Sequence, residues 1–116
     1  MTEQNVTIAR EYYKAYDEKN IPVIEKYLHP DILFIGPLGE SSGKEAFLTA
    51  AKRFLGIIKK LEIRTAFGSG DQVILIYDLY FGEPETICRT AVFMNFKDGL
   101  ISQLELFYDP RPWINL

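Results

Sequence analysis

From Val73 to Phe81 the chain reads Val-Ile-Leu-Ile-Tyr-Asp-Leu-Tyr-Phe, with a single charge at Asp78. Branched and aromatic side chains of this kind favour extended backbone, and neither glycine nor proline interrupts them. A strand with one face in water alternates apolar and polar residues; this one does not, so both of its faces need cover. Helices can cover one face, and a second copy of the chain is the expected cover for the other. The flanking segments also read as strands. Leu61–Phe67 alternates, Gly68-Ser69-Gly70-Asp71 turns the chain into the long strand Gln72–Phe81, and Glu83-Pro84 reverses it into Thr86–Phe96. Lys97-Asp98-Gly99 then leads into Leu100–Tyr108.

The first half is helical. Ile8, Ala9, Tyr12, Tyr13 and Tyr16 share one arc of a helical wheel, which predicts a helix over Glu3–Glu18. Asn20 caps a second, short helix with Pro22 in its first turn and a stop at His29-Pro30. Ile32–Ile35 is a short strand, broken by Gly36-Pro37-Leu38-Gly39. Ser42-Gly43-Lys44-Glu45 reads as a capping box opening a third helix to about Ile58, with Phe47, Leu48, Ala51, Phe54 and Leu55 at helical spacing. Helices followed by an antiparallel meander make the class α+β, and 116 residues suit one domain over 1–116.

Charge and cysteine usage exclude several function classes. The net charge is −3 and no basic stripe is present, so nucleic acid is not expected as a partner. One cysteine and one histidine cannot make a disulfide or a zinc cluster, so no metal or other cofactor is expected. No run approaches 18 apolar residues, so no membrane partner is expected, and MTEQNVTIAR lacks the pattern of a signal peptide; a cytoplasmic protein is the expectation. Cys88, mid-strand beside Ile87, reads as a buried inert thiol.

Several short pieces recur in a telling order: Tyr12-Tyr13-Lys14-Ala15-Tyr16, Asn20-Ile21, Leu28-His29-Pro30-Asp31, Gly36-Pro37, Ser42-Gly43-Lys44-Glu45, Asp98-Gly99-Leu100-Ile101 and Phe107-Tyr108-Asp109. Over nearly the full length the chain resembles the SnoaL-like and ketosteroid-isomerase-like branch of the nuclear transport factor 2-like superfamily. The resemblance implies a cone-shaped fold, with three N-terminal helices packed on a curved, mainly antiparallel sheet and a pocket between its concave face and the first helix. It also implies homodimers through the convex face. Function varies widely within this superfold.

Alternation and the resemblance together assign pocket residues. Val73, Leu75, Tyr77, Leu79 and Phe81 are expected to face the cavity, with Cys88, Thr90, Val92, Met94 and Phe96 beside them, then Leu104, Leu106 and Tyr108, and Ile32 and Phe34. Tyr12 matches the oxyanion-holding tyrosine of the ketosteroid isomerases. Gly36 stands where they carry the proton-shuttling aspartate and Val92 where they carry the second aspartic acid, so their double-bond chemistry is not expected here. Asp109 matches an acid/base aspartate of SnoaL-type cyclases; the competing reading is a turn cap paired with Arg111. His29 is the next acid/base candidate, against a purely local role at a helix end. Tyr16, Phe34, Phe54, Tyr77, Met94, Tyr108 and Trp113 are the candidate contacts to a small hydrophobic molecule. Hairpin arithmetic sets Asp78 opposite Arg89 on the convex face. Three functions fit: a cofactor-independent isomerase, cyclase, dehydratase or hydrolase; a non-catalytic binder of a small ligand; and a dimeric scaffold.

Overall fold

A computed structural model describes residues 2–114. Helix α1 (Thr2–Asp17) and α2 (Ile21–Lys26) lead into β1 (Leu28–Gly36) and β2 (Gly39–Ser42). Helix α3 (Lys44–Leu55) precedes the strands β3 (Ile58–Ser69), β4 (Gln72–Phe81), β5 (Thr86–Lys97) and β6 (Leu100–Phe107), and a short α4 (Arg111–Ile114) closes the described chain. The six strands form one curved, open sheet in the order β2-β1-β6-β5-β4-β3. All neighbours are antiparallel except β1 and β6, which run parallel with Phe34 opposite Leu104.

The concave face carries the core. Val73, Leu75, Tyr77, Leu79 and Phe81 of β4 are buried, as are Cys88, Thr90, Val92, Met94 and Phe96 of β5. Against them lie Ala9, Tyr12, Tyr13 and Tyr16 of α1 and Phe47, Ala51 and Leu55 of α3. Asp78 pairs with Arg89 in the β4–β5 register, their side chains 3.7 Å apart, as the hairpin arithmetic expects.

Three local expectations are corrected. His29-Pro30 does not end α2: the helix stops at Lys26, and both residues lie inside β1, whose register slips between Leu28 and Leu33. That irregularity accommodates the proline, which has no N–H to offer a neighbouring strand. The capping box is not formed. Ser42 pairs with Leu33 in β2, and Gly43, at φ +94°, takes the N-cap position without a side-chain bond. α3 ends at Leu55 and Ile58 already belongs to β3, whose cross-strand partner there is Phe81.

Besides the edge-on contact of the Tyr16 and Phe54 rings, an electrostatic link joins α1 to α3. Lys19, at φ +54°, ends α1 in a Schellman turn in which the Asn20 N–H reaches the Ala15 carbonyl at 2.8 Å. Its ammonium then donates to the carbonyls of Leu55 (2.5 Å) and Ile58 (3.0 Å), capping the C-terminus of α3. Lys19→Met keeps the aliphatic stem and removes the charge. A fall in stability of about 1–2 kcal/mol is expected in urea unfolding; an unchanged midpoint would mean the cap contributes nothing.

Candidate functional site

Tyr12, Tyr13 and Tyr16 cluster on α1 because residues three and four apart share a helical face. Tyr13 stacks on Tyr16 (ring centroids 5.4 Å apart) and packs on Tyr77 of β4 (4.9 Å). Tyr12 is fully buried behind them, its hydroxyl 2.6 Å from that of Tyr16. Burial raises the pKa of all four phenols, because the phenolate would lose its water. For Tyr16 the hydrogen bond it shares with Tyr12 works in the opposite direction, and for Tyr77 the neighbouring Thr90 hydroxyl does the same.

Beyond this cluster a cavity of about 210 Å³ opens between α1, α3 and the sheet. Tyr16, Phe34, Phe54, Tyr77, Tyr108 and Trp113, all candidate contacts, come together on its wall. Trp113 stacks on Phe81 at 4.0 Å and also packs on Phe54 and Tyr108. The polar groups on the wall carry no carboxylate, ammonium or guanidinium: they are phenols, the hydroxyls of Ser41 and Thr90, the indole N–H of Trp113, which is buried without a hydrogen-bond partner among the described residues, and the thiol of Cys88, which lies 3.7 Å from the Thr90 oxygen.

Other candidates fall elsewhere. Tyr12 and Met94 are fully buried in the core rather than on the cavity wall, because α1 presents Tyr13 and Tyr16 to the cavity and Met94 lies further along β5. Asp109 is exposed, and its carboxylate takes a two-pronged bond from the Arg111 guanidinium together with the Arg111 backbone N–H. These bonds hold its pKa down to about 2, the reverse of what a proton shuttle at neutral pH needs. His29 is half-buried on β1, and its Nδ1 accepts the Asp31 N–H at 3.0 Å. Neither residue lines the cavity.

Tyr13, Ser41, Phe47 and Ala51 line it without having been singled out. For Tyr13 the signal was in the sequence, since it lies three residues before Tyr16 in the same apolar arc. Ser41 had no such signal, because Gly39-Glu40-Ser41-Ser42 carries no apolar alternation to mark it as a strand.

The profile of the SnoaL-like domain matches residues 9–104. The chain belongs to the SnoaL-like family. Its fold recurs in solved structures. An NTF2-like protein of unknown function from Cytophaga hutchinsonii shares 26% identity, with a TM-score of 0.79 over 91% of this chain and 90% of the other. Bal32a, from a soil-derived mobile gene cassette, gives 0.88 at 20% identity over 98% and 96%. An LEH-like epoxide hydrolase from M. tuberculosis gives 0.84 at 14% identity over 95% and 86%. No curated protein matches the chain in sequence. This SnoaL-like chain thus shares a fold across sequences too distant to carry function with it. Among the described residues no helix is long and apolar enough to cross a membrane.

The Asp109–Arg111 clasp anchors the start of α4 and hence Trp113, the chain's single tryptophan. A carboxylate with a depressed folded-state pKa contributes stability that is present above its unfolded value and lost as pH falls through the folded one. Tryptophan fluorescence should therefore change between about pH 4 and pH 2, and Asp109→Asn should abolish that step. Persistence of the step in Asp109→Asn would assign it to another group.

Proposed function

We propose that this protein binds a small, uncharged, largely apolar molecule in the cavity, and that Asp109 and His29 take no part in chemistry. The observation that carries this reading is the composition of the wall: aromatic and aliphatic side chains with hydroxyl and thiol groups between them. An ionised ligand would be buried there opposite no counter-charge, at a cost that burial of its apolar part does not offset. Phenols with raised pKa values stay protonated at neutral pH and so donate hydrogen bonds rather than accept protons. The isomerase, cyclase, dehydratase or hydrolase reading needs a proton-transfer group on the wall, and the depressed pKa of the clasped Asp109 weighs against it.

A panel of small neutral aromatic and alicyclic compounds should raise the melting temperature. At about one hundred times Kd, one bound ligand adds roughly 2.7 kcal/mol. Leu106→Trp, which fills the cavity from β6, should remove that response while leaving the fold intact. A ligand response unchanged in Leu106→Trp would move binding away from the cavity.

The reading includes a homodimer through the convex face. Phe67, Ile74 and Phe107 are 68%, 47% and 54% exposed there, and Phe93 lies beside Ile74 in register. An apolar stretch of this kind is costly in water and marks an association surface. Light scattering at micromolar concentration should give twice the monomer mass, and Ile74→Glu with Phe107→Glu should halve it. A monomeric wild-type chain would refute the dimer. A cytoplasmic location, suggested by a lone reduced cysteine, completes the proposal.

A further inference from the structure

The convex face carries a charge pattern that fits a second copy of itself. Asp78 lies between two guanidinium groups, those of Arg64 at 3.9 Å and Arg89 at 3.7 Å, and both approach the same oxygen, Oδ1. Neither reaches hydrogen-bonding distance, and Oδ1 is buried with no hydrogen-bond partner among the described residues. The neighbouring Glu62 is taken up by Lys60, 3.4 Å away. Two cations on one carboxylate leave one positive charge over, and Arg89 carries it outward with its side chain 73% exposed.

The opposite surplus lies further along the same face. Leu104 and Leu106 line the cavity, so Glu105 between them points to the convex side. Glu105 is half-buried, in register with Phe93 of β5 and Ile35 of β1. None of the ion pairs among the described residues includes it. A carboxylate among apolar neighbours gives up water there without a counter-charge.

Strand register sets the spacing of the two surpluses. Phe93 lies four residues beyond Arg89 on β5, and Glu105 stands beside Phe93, one strand over. Arg89 and Glu105 are thus about 14 Å apart along the strands, too far to pair within one sheet. Halfway between them lies the pair Ala91–Phe107. A two-fold axis running across the strands at that level exchanges the two positions, so that the same contact forms twice. The same operation sets Phe107 near its own counterpart and Ile74 near Ile76 of the partner subunit, apolar against apolar.

We propose that a second copy of this chain docks on the convex face in one register, with Arg89 of each subunit paired to Glu105 of the partner subunit around an apolar centre at Ala91 and Phe107. The inference rests on the dimer reading above and adds its orientation. Charge complementarity of this kind fixes register and excludes wrong partners more than it adds affinity.

Two variants that each reverse one sign test the pairing. In Arg89→Glu the contact becomes two carboxylates, and in Glu105→Arg it becomes two guanidinium groups. Each variant alone should dimerise at least about a hundredfold more weakly than the wild type in sedimentation velocity, because like charges in contact are strongly disfavoured. Mixed one to one, the two chains restore opposite charges at both contacts. The mixture should form a heterodimer within about tenfold of the wild-type affinity. Arg89→Glu also sets a carboxylate beside Asp78, so circular dichroism checks its fold and a cycle that does not need it runs alongside. In an Arg89→Gln background, Glu105→Arg should weaken the dimer by less than about tenfold, its repulsive partner being gone.

A mixture no more dimeric than its components would overturn the pairing while leaving a convex-face dimer in place. So would single variants that dimerise like the wild type, or a Glu105→Arg loss as large in the Arg89→Gln background as in the wild type. A wild-type chain that stays monomeric at micromolar concentration would overturn this inference and the dimer reading together.

Discussion

Phe81→Ala should lower stability by about 3–5 kcal/mol and release Trp113 from the cavity wall. Phe81 ends β4 at 2% exposure, opposite Ile58 and Thr86 in the two neighbouring strands. Its ring also lies nearly parallel to that of Trp113, at 12° and 4.0 Å. Truncation therefore removes both a core side chain and the surface on which α4 rests. The void has little means of closing, because the Phe81 backbone is paired on both sides, with Ile58 and with Thr86, at the end of the strand. The melting temperature should fall by more than about 10 °C, and tryptophan emission should shift to the red as the indole meets water. A red shift with little loss of stability would show that Phe81 matters to α4 alone. A large loss with unchanged emission would show that Trp113 is held by Phe54 and Tyr108 without it.

Where one physical rule governed a segment, the sequence was enough to read it. The β4–β5 hairpin obeys the period-two rule along its whole length, so counting outward from Glu83-Pro84 places Asp78 against Arg89, as found. The first helix, the α+β class and the curved sheet were likewise readable from periodicity and family resemblance. Readings failed where a distant pairing overrode a local signal. His29-Pro30 carries a strong helix stop, yet Leu28 is drawn into a parallel pairing with Ile101 from the far end of the chain, and the Ile101 N–H reaches the Tyr27 carbonyl at 2.7 Å. No local pattern announces that contact. Ser42 offered a capping hydroxyl, but backbone pairing with Leu33 claims it for β2, and the Gly43 N–H bonds the Ile32 carbonyl at 2.8 Å.

The site was partly legible for the same reason. Alternation put Tyr77, Thr90 and Tyr108 on the concave face, and they line the cavity. Choosing between Tyr12 and Tyr13 required the rotation of α1 about its axis to within one residue, and a helical wheel with a broad apolar arc does not supply that. Asp109 illustrates a different gap. Its position at the end of the last strand suited an acid/base group, but Arg111 two residues later takes the carboxylate, a local pairing whose strength depends on how the chain turns at Pro110.

Val92→Asp should destabilise the fold by about 3 kcal/mol or more near neutral pH, with a penalty that shrinks on acidification. Val92 is fully buried, between Leu75 on one neighbouring strand and Leu106 on the other. A carboxylate there would lose its water without gaining a partner, so the side chain should stay protonated in the folded state, its pKa raised by desolvation. The unfolded chain ionises near the ordinary value of about 3.9. Below that pH both states are neutral and the cost is that of one unsatisfied polar group. Above it only the unfolded state releases the proton, so stability falls by about 1.4 kcal/mol per pH unit until the folded pKa is reached. Urea unfolding of wild type and variant at pH 4 and pH 7 tests this directly, the variant's deficit being larger at pH 7. A deficit equal at the two pH values would mean that the new carboxylate ionises within the fold, and hence that the sheet behind the cavity offers polar contacts its aliphatic neighbours do not suggest. The sign is opposite to that expected for Asp109, whose pKa is depressed by Arg111 and whose contribution disappears in acid. The two positions, one fully buried on β5 and one exposed beside α4, thus use the same titration to separate desolvation from pairing.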